Sequence, residues 1–130
     1  MKTCKHCGHE IEQIEWIKIP ELKIEVERDV HDKNKSWNDL VLSNREDELL
    51  TAEECIWLAN SKYAEQLKMN GISSYDDFFI KPPFELNKKK GYVARFYADS
   101  DWSGLGCTRD PQDSGASLGV RFVRRRNENL

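Results

Sequence analysis

The clearest alternation of apolar and charged residues lies near the N-terminus, in the run Leu22-Lys23-Ile24-Glu25-Val26-Glu27. A side-chain period of two is typical of a strand with one buried face. Residues 14–19 form a second apolar-rich run, and Pro20-Glu21 separates the two. The pattern therefore predicts a β-hairpin that turns at Pro20-Glu21.

A helical pattern occupies residues 51–67. Thr51 and Glu54 have the spacing of a capping box, in which each side chain binds the backbone N–H of the other residue. Apolar residues then recur at steps of three and four, which predicts one buried helix face. These residues are Ala52, Cys55, Ile56, Ala59, Tyr63 and Leu67. Gly71 is the expected end of the helix.

Between this helix and the C-terminal third, the pattern is mixed. Pro82-Pro83 exclude a regular helix across residues 76–86, and the Lys-Lys-Lys-Gly run at 88–91 is typical of a turn. Upstream, Trp37 is the one large apolar residue in a polar loop at 31–39. We expect it to be a buried anchor.

Two strands are predicted in the C-terminal third, at residues 92–96 and 118–122. Alternate apolar residues would share one face in each strand. These sets are Tyr92, Ala94 and Phe96 in the first strand, and Leu118, Val120 and Phe122 in the second.

The connection between these strands, residues 97–117, has no apolar periodicity, and Leu105 is its only large aliphatic residue. A long aperiodic connection in a small domain is usually functional or disordered. Predicted strands at both ends favour an ordered segment. Small polar residues with a few aromatic ones, here Tyr97 and Trp102, also make up antibody binding surfaces. The alternative interpretation is a solvated loop without a partner.

Three stretches resemble the variable proteins of diversity-generating retroelements, which have a C-type lectin fold. Leu50-Thr51-Ala52-Glu53-Glu54 is similar to the L-P-T-x-x-E motif of the branch that includes the formylglycine-generating enzymes, although the proline is missing. Ser117-Leu118-Gly119-Val120-Arg121-Phe122 is similar to the G-F-R-L strand that ends those domains. Residues 92–116 lie where these proteins place their mutable region.

The resemblance implies an α+β domain of C-type lectin fold. We expect a small mixed or antiparallel sheet, one or two helices and an irregular C-terminal ligand-binding surface. The domain would span residues 12–126 with a variable region at 92–122, after a Cys/His-containing segment at 1–11 and before a tail at 127–130. It would not be an enzyme.

The resemblance also assigns roles to residues. In this family, adenines of a template are copied with errors, so that Asn codons become codons for nearly any residue. Residues 91–126 contain neither Asn nor Lys. Tyr92, Phe96, Leu105, Leu118, Val120 and Phe122 would be scaffold. The ligand-facing residues would be Tyr97, Asp99, Asp101, Trp102, Ser103, Gly104, Gly106, Thr108, Asp110, Gln112, Asp113, Gly115 and Ala116.

The charge balance narrows the class of partner. A formal net charge of −3 disfavours binding to nucleic acid, which needs a basic surface. No apolar run has the length of a membrane span, and we expect neither a signal peptide nor membrane insertion. The expected ligand is a protein or a cell-surface target, and no cofactor is required.

A metal-dependent module is the alternative function. Cys4 and Cys7 have the spacing of half a zinc knuckle, which His9, His31 or a second copy of the chain could complete. Calcium is the second candidate, because residues 99–110 match much of an EF-hand loop. Its oxygen-bearing positions are Asp99, Asp101, Ser103 and Asp110, with Gly104 at the sixth position.

Catalytic motifs are scarce. All three histidines lie in the first quarter of the chain, and no Gly-rich phosphate loop is present. Cys107 has no cysteine close to it in sequence, and Asp76-Asp77 is more typical of a turn or a helix cap than of a carboxylate pair. Cys55 is expected to be a buried free thiol, and its pairing with Cys107 stays open.

Overall fold

The computed structural model describes residues 2–3, 10–11, 14–70, 77–99, 102–115 and 117–125. These residues form an α+β fold, as predicted. The strands are β1 (Lys2–Thr3), β2 (Glu10–Ile11), β3 (Trp16–Ile19), β4 (Ile24–Glu27), β5 (Asp77–Ile80), β6 (Val93–Asp99), β7 (Trp102–Arg109), β8 (Leu118–Gly119) and β9 (Val123–Arg125). The helices are α1 (Ala52–Ala59) and α2 (Glu85–Lys89), with short 3₁₀ helices at Pro20–Leu22, Leu42–Asn44 and Glu46–Glu48.

The predicted N-terminal hairpin is confirmed. β3 and β4 pair antiparallel, and a 3₁₀ turn over Pro20–Leu22 joins them. Ile24 and Val26 are buried, as their alternation with charged residues predicts. β9 adds to the other edge of β4, so the two ends of the domain meet in one three-stranded sheet. A separate two-stranded pairing joins β1 to β2.

The second sheet has four strands in the order β7-β6-β5-β8. β5 pairs antiparallel with β6 and parallel with β8. The sequence pattern did not predict β5, since both of its faces are buried and it therefore shows no alternation of apolar and polar residues. Phe78 and Ile80 pack into one apolar cluster, whereas Phe79 packs into another.

The capping box of α1 is confirmed. The Thr51 N–H donates to Glu54 Oε1 at 2.9 Å, and the Glu54 N–H donates to Thr51 Oγ1 at 3.1 Å. The predicted length is wrong, because the helix ends at Ala59 and not near Gly71. Asn60 Nδ2 and Ser61 Oγ donate to carbonyl groups of the last helical turn, at 2.8 and 2.7 Å, and polar side chains of this kind favour helix ends. Contrary to the prediction, Ile56 is exposed.

Trp37 is the buried anchor that the sequence predicted. Its ring meets Phe79 edge to face, with centroids 5.7 Å apart, and its Nε1–H donates to Ser43 Oγ at 2.9 Å. The cluster around Trp37 also contains Leu118 and Val120, and Phe122 packs against it. These three residues therefore share one side of the chain, as predicted.

Arg121 points away from that cluster and is buried. Its Nη2 donates to the carbonyl oxygen of Arg28 at 2.6 Å, and its guanidinium lies 4.9 Å from the centre of the Phe78 ring. The strand predicted at 118–122 is interrupted: β8 has two residues, and isolated bridges follow at Val120 and Phe122. In the linker before β6, residues 88 and 89 belong to α2, so the turn predicted at 88–91 begins two residues later.

In the described part of the chain, neither helix is long and apolar enough to cross a membrane.

Candidate binding surface

The segment predicted to be irregular contains an eight-residue strand, β7. It pairs antiparallel with β6, and Asp99 is the pairing partner of Trp102. The prediction of an irregular surface is thus wrong for residues 97–99, which belong to β6, and for residues 102–109. Small residues such as Gly104 and Gly106 carry no strand signal of their own, but β6 offers a row of backbone groups that any extended chain can pair with.

The register of this hairpin separates a core face from an outer face. Leu105 is paired with Phe96; Phe96 belongs to the larger apolar cluster and Leu105 packs against it, so both lie on the core face. The alternate positions form the outer face, where Tyr97 is paired with Gly104 and Arg95 with Gly106. Tyr97, Gly104 and Gly106 were predicted to face a ligand.

Turn hydrogen bonds hold the residues that follow β7. Asp110 Oδ1 accepts the Gln112 N–H at 2.8 Å, and the Asp110 carbonyl accepts the Asp113 N–H at 3.1 Å. The Pro111 carbonyl accepts the Asn38 N–H at 3.0 Å, which ties this turn to the loop that carries Trp37. This part of the segment is therefore attached to the framework largely through its backbone.

A polar pocket of about 340 Å³ opens where the outer face meets this turn. It brings together four of the predicted ligand-facing residues and three that were not predicted. It is lined by Tyr92, Arg95, Gly106, Thr108, Arg109, Asp110 and Asp113, and these seven residues define the polar pocket.

The other predicted residues that the structure describes are not among those that line the pocket. Gln112 is exposed in the turn, and a Cβ at Gly115 would lie 3.4 Å from Arg109 Nη2 and from Leu118 Cβ. Asp99, Trp102 and Ser103 lie at the far end of the hairpin, where their backbone pairing is described. The positions that fall outside the described residues are Asp101, Ala116, Cys4 and Cys7.

Arg95 is fixed at the base of the pocket. Its Nη1 donates to Asp77 Oδ2 at 2.6 Å, and its guanidinium lies 4.9 Å from the centre of the Tyr97 ring. The sequence offered one usable signal for Arg95: in a strand whose Ala94 and Phe96 are buried, a charged residue between them must face outward.

Arg109 also lines the pocket. Its Nη2 donates to the Ser114 carbonyl at 3.0 Å, while its buried Nε has no hydrogen-bond partner among the described residues. Tyr92, predicted to be scaffold, is instead 39% exposed and lines this pocket. It also lines a second cavity of about 270 Å³ next to Trp37 and Pro111.

The geometry does not fit an EF-hand loop. Asp99 and Asp110 lie beyond opposite ends of β7, and eight extended residues span about 26 Å. One ion cannot bind both carboxylates across that distance. Within the described ranges, no group of three or more His, Cys, Asp or Glu side chains is placed to hold a metal ion.

Cys55 and Cys107 are both free thiols, so the disulfide left open by the sequence is not formed. Burial raises the pKa of each thiol above its ordinary value. The thiolate form is therefore scarce at neutral pH, and neither cysteine has the environment of an activated nucleophile.

No family model matches the chain, and no curated protein and no solved structure matches it.

Proposed function

We propose that this protein binds a protein or cell-surface ligand, as a variable protein of the diversity-generating retroelement type with a C-type lectin fold. Residues 97–116 are the display segment, held on the framework by β6 and by the turn after β7. The observation that carries this proposal is the division of the hairpin into a buried face and an outer face. A domain divided in this way can change its outer chemistry without changing its core.

The surroundings of the glycines support this division. A Cβ added at Gly106 would lie 3.7 Å from Arg95 Nε and 3.8 Å from Tyr97 Cε1, which are ordinary van der Waals distances. A Cβ added at Gly119 would lie 2.3 Å from the carbonyl oxygen of His31. β7 therefore has room for a side chain at Gly106, whereas β8 has no room for one at Gly119.

The turn at 110–115 supports the proposal in a second way. Two of its hydrogen bonds, Asn38 N–H to the Pro111 carbonyl and Asp113 N–H to the Asp110 carbonyl, use backbone atoms only. Substitution of Asp113 leaves both bonds in place. The backbone of this turn is thus independent of much of its side-chain chemistry.

The test is a comparison of two libraries on the surface of yeast. The display library randomises Gly104, Gly106, Thr108 and Asp113, and the control library randomises Leu118, Gly119, Val120 and Arg121. Resistance to a protease measures folding. We expect most display variants to resist cleavage as well as the parent does, and most control variants to be cleaved, because their side chains lie in the core.

Binding is tested by panning the folded display variants against immobilised ubiquitin, a protein unrelated to the library. We expect clones that bind ubiquitin when the parent does not. Equal protease sensitivity of the two libraries, or the absence of ubiquitin binders among folded variants, would contradict the proposal.

A further inference from the structure

The polar pocket contains two guanidinium groups with donors to spare. Arg95 uses Nη1 on Asp77, whose own backbone N–H is held by the Ser117 carbonyl at 3.0 Å. The Arg95 side chain is 31% exposed, and its Nε lies close enough to the surface at Gly106 that an added Cβ would touch it. Among the described residues, its other N–H groups have no hydrogen-bond partner.

Arg109 is the more informative of the two, because part of its donor capacity is buried without a hydrogen-bond partner among the described residues. One bond, from Nη2 to the Ser114 carbonyl, fixes the side chain against the turn. Its Nε is buried without a partner in the described part of the chain. A guanidinium carries five N–H donors and stays charged at every relevant pH, so a site that holds it without a carboxylate favours an added acceptor.

From these two groups we infer that the polar pocket binds a carboxylate: the side chain of an acidic residue on the protein partner, held between Arg95 and Arg109. This inference rests on the proposed function, because it names the chemistry that the display surface recognises. A planar guanidinium matches a carboxylate with two parallel hydrogen bonds, which gives orientation as well as affinity. The Arg95–Asp77 pair positions one of the two donors in advance, and Tyr92 flanks the site.

Two carboxylates at the rim, Asp110 and Asp113, work against this binding. Both are exposed, and Asp110 Oδ1 is already occupied by the Gln112 N–H. Their repulsion is screened by solvent, whereas the guanidinium groups are partly buried and fixed. The rim therefore weakens binding of the carboxylate without preventing it, and removal of one rim charge must strengthen binding.

The probe is N-acetylglutamate α-methylamide, added to the full-length chain and followed by ¹H–¹⁵N NMR of the arginine Nε–H groups. We expect saturable shifts of Arg95 and Arg109 at millimolar probe, and no shift of Arg124, an exposed arginine that lies near Glu25. N-acetylglutamine α-methylamide should leave all three signals unchanged. Two further probes, N-acetyllysine α-methylamide and inorganic phosphate, are added to the chain in the same way.

Three variants give the matched controls. Arg109→Gln should weaken binding of the glutamate probe at least tenfold, and Arg124→Gln should leave it unchanged. Asp113→Asn should strengthen binding about two- to threefold, as expected for loss of an exposed like charge. Asp113 donates only its backbone N–H in the described hydrogen bonds, so this variant keeps the test valid if Arg109→Gln does not fold.

The inference is overturned if the glutamate probe moves neither signal, if the lysine probe binds more tightly, or if phosphate binds tenfold better than the carboxylate. None of these outcomes affects the yeast libraries, which measure tolerance to substitution without this probe. Conversely, protease sensitivity of most display variants would contradict the proposed function even if the glutamate probe binds.

Discussion

His31 is held between two carboxylates. Its Nε2 lies 2.9 Å from Glu27 and its Nδ1 2.7 Å from Asp32, while Glu27 is buried and also accepts the Phe122 N–H at 2.6 Å. The hydrogen bond to Glu27 and the one to Asp32 raise the pKa of His31 against the opposing effect of burial. His31 is therefore connected to the backbone at Phe122 through the Glu27 carboxylate of β4, which both groups share.

The sign of the pH dependence follows from the raised pKa. Stability from His31 is fully present below the ordinary pKa of 6.5 and is lost as pH rises through the higher pKa of the folded protein. We expect the urea midpoint of the parent to decrease as the pH is raised from 6 to 9. The urea midpoint of His31→Gln should change much less over the same range. Parallel curves for the two proteins would show that His31 does not link folding to pH.

Single residues also mark the limit of prediction from sequence. Four members of the polar pocket, Gly106, Thr108, Asp110 and Asp113, were predicted because they lie in one compositionally unusual segment. Arg95 was not, since its role depends on Asp77, which is distant in sequence and reaches it only through the pairing of β5 with β6. Long-range pairing of this kind leaves no local pattern.

At the scale of elements, the Glu54 carboxylate stabilises the start of α1 through two sets of hydrogen bonds. Glu54 closes the capping box and also accepts two hydrogen bonds from Arg125 of β9, at 2.6 and 2.9 Å. Burial raises the pKa of Glu54, but the hydrogen bonds from Arg125 and Thr51 outweigh it, so the net pKa is lowered. The start of the helix is thereby attached to the three-stranded sheet.

Two variants distinguish the capping box from the ion pair with Arg125. Thr51→Ala removes one side of the capping box and should lower the free energy of unfolding by about 1 kcal/mol at pH 7. Glu54→Gln keeps an acceptor for the Thr51 N–H but removes the ion pair with Arg125, and it should cost more than Thr51→Ala. Denaturant unfolding measures both, and a smaller loss for Glu54→Gln would mean that Arg125 contributes little.

The elements that sequence analysis predicted carry their own local signals. The hairpin of β3 and β4 has alternation, and α1 has its capping box. β5 and β7 lacked such signals for opposite reasons. β5 is apolar on both faces, and β7 alternates small residues that fit a loop equally well. The end of α1 was misplaced because apolar spacing continues beyond Asn60, where Leu67 is buried in a turn and not in a helix.

At the scale of the molecule, the display segment lies between strands of the four-stranded sheet and strands that return to both sheets. β5 and the first four residues of β6 precede it in the four-stranded sheet, and β8 and β9 follow it into both sheets. The last strand returns to pair with β4, so the framework is closed around the insertion. This arrangement places the described residues of the segment between paired strands, although few of them are apolar.

Amide hydrogen exchange measures that order. We expect amides of β5 and β6 to exchange at rates near that of global unfolding, because both strands have a neighbour on each side. Within the described residues β7 has one neighbouring strand, so we expect alternate protection along it: amides bonded to β6 should exchange slowly and those on its other edge fast. Uniformly fast exchange through residues 102–109 would contradict a fixed framework.

The free edge of β7 has one further consequence, which concerns solubility. Exposed strand edges invite pairing with other chains, and under the proposed function β7 would sometimes acquire β-branched apolar residues that strengthen such pairing. The Asn87 side chain of α2 donates to the Cys107 carbonyl at 2.9 Å and so occupies this edge near its C-terminal end. Asn87 thus shortens the stretch of this edge on which another chain could pair.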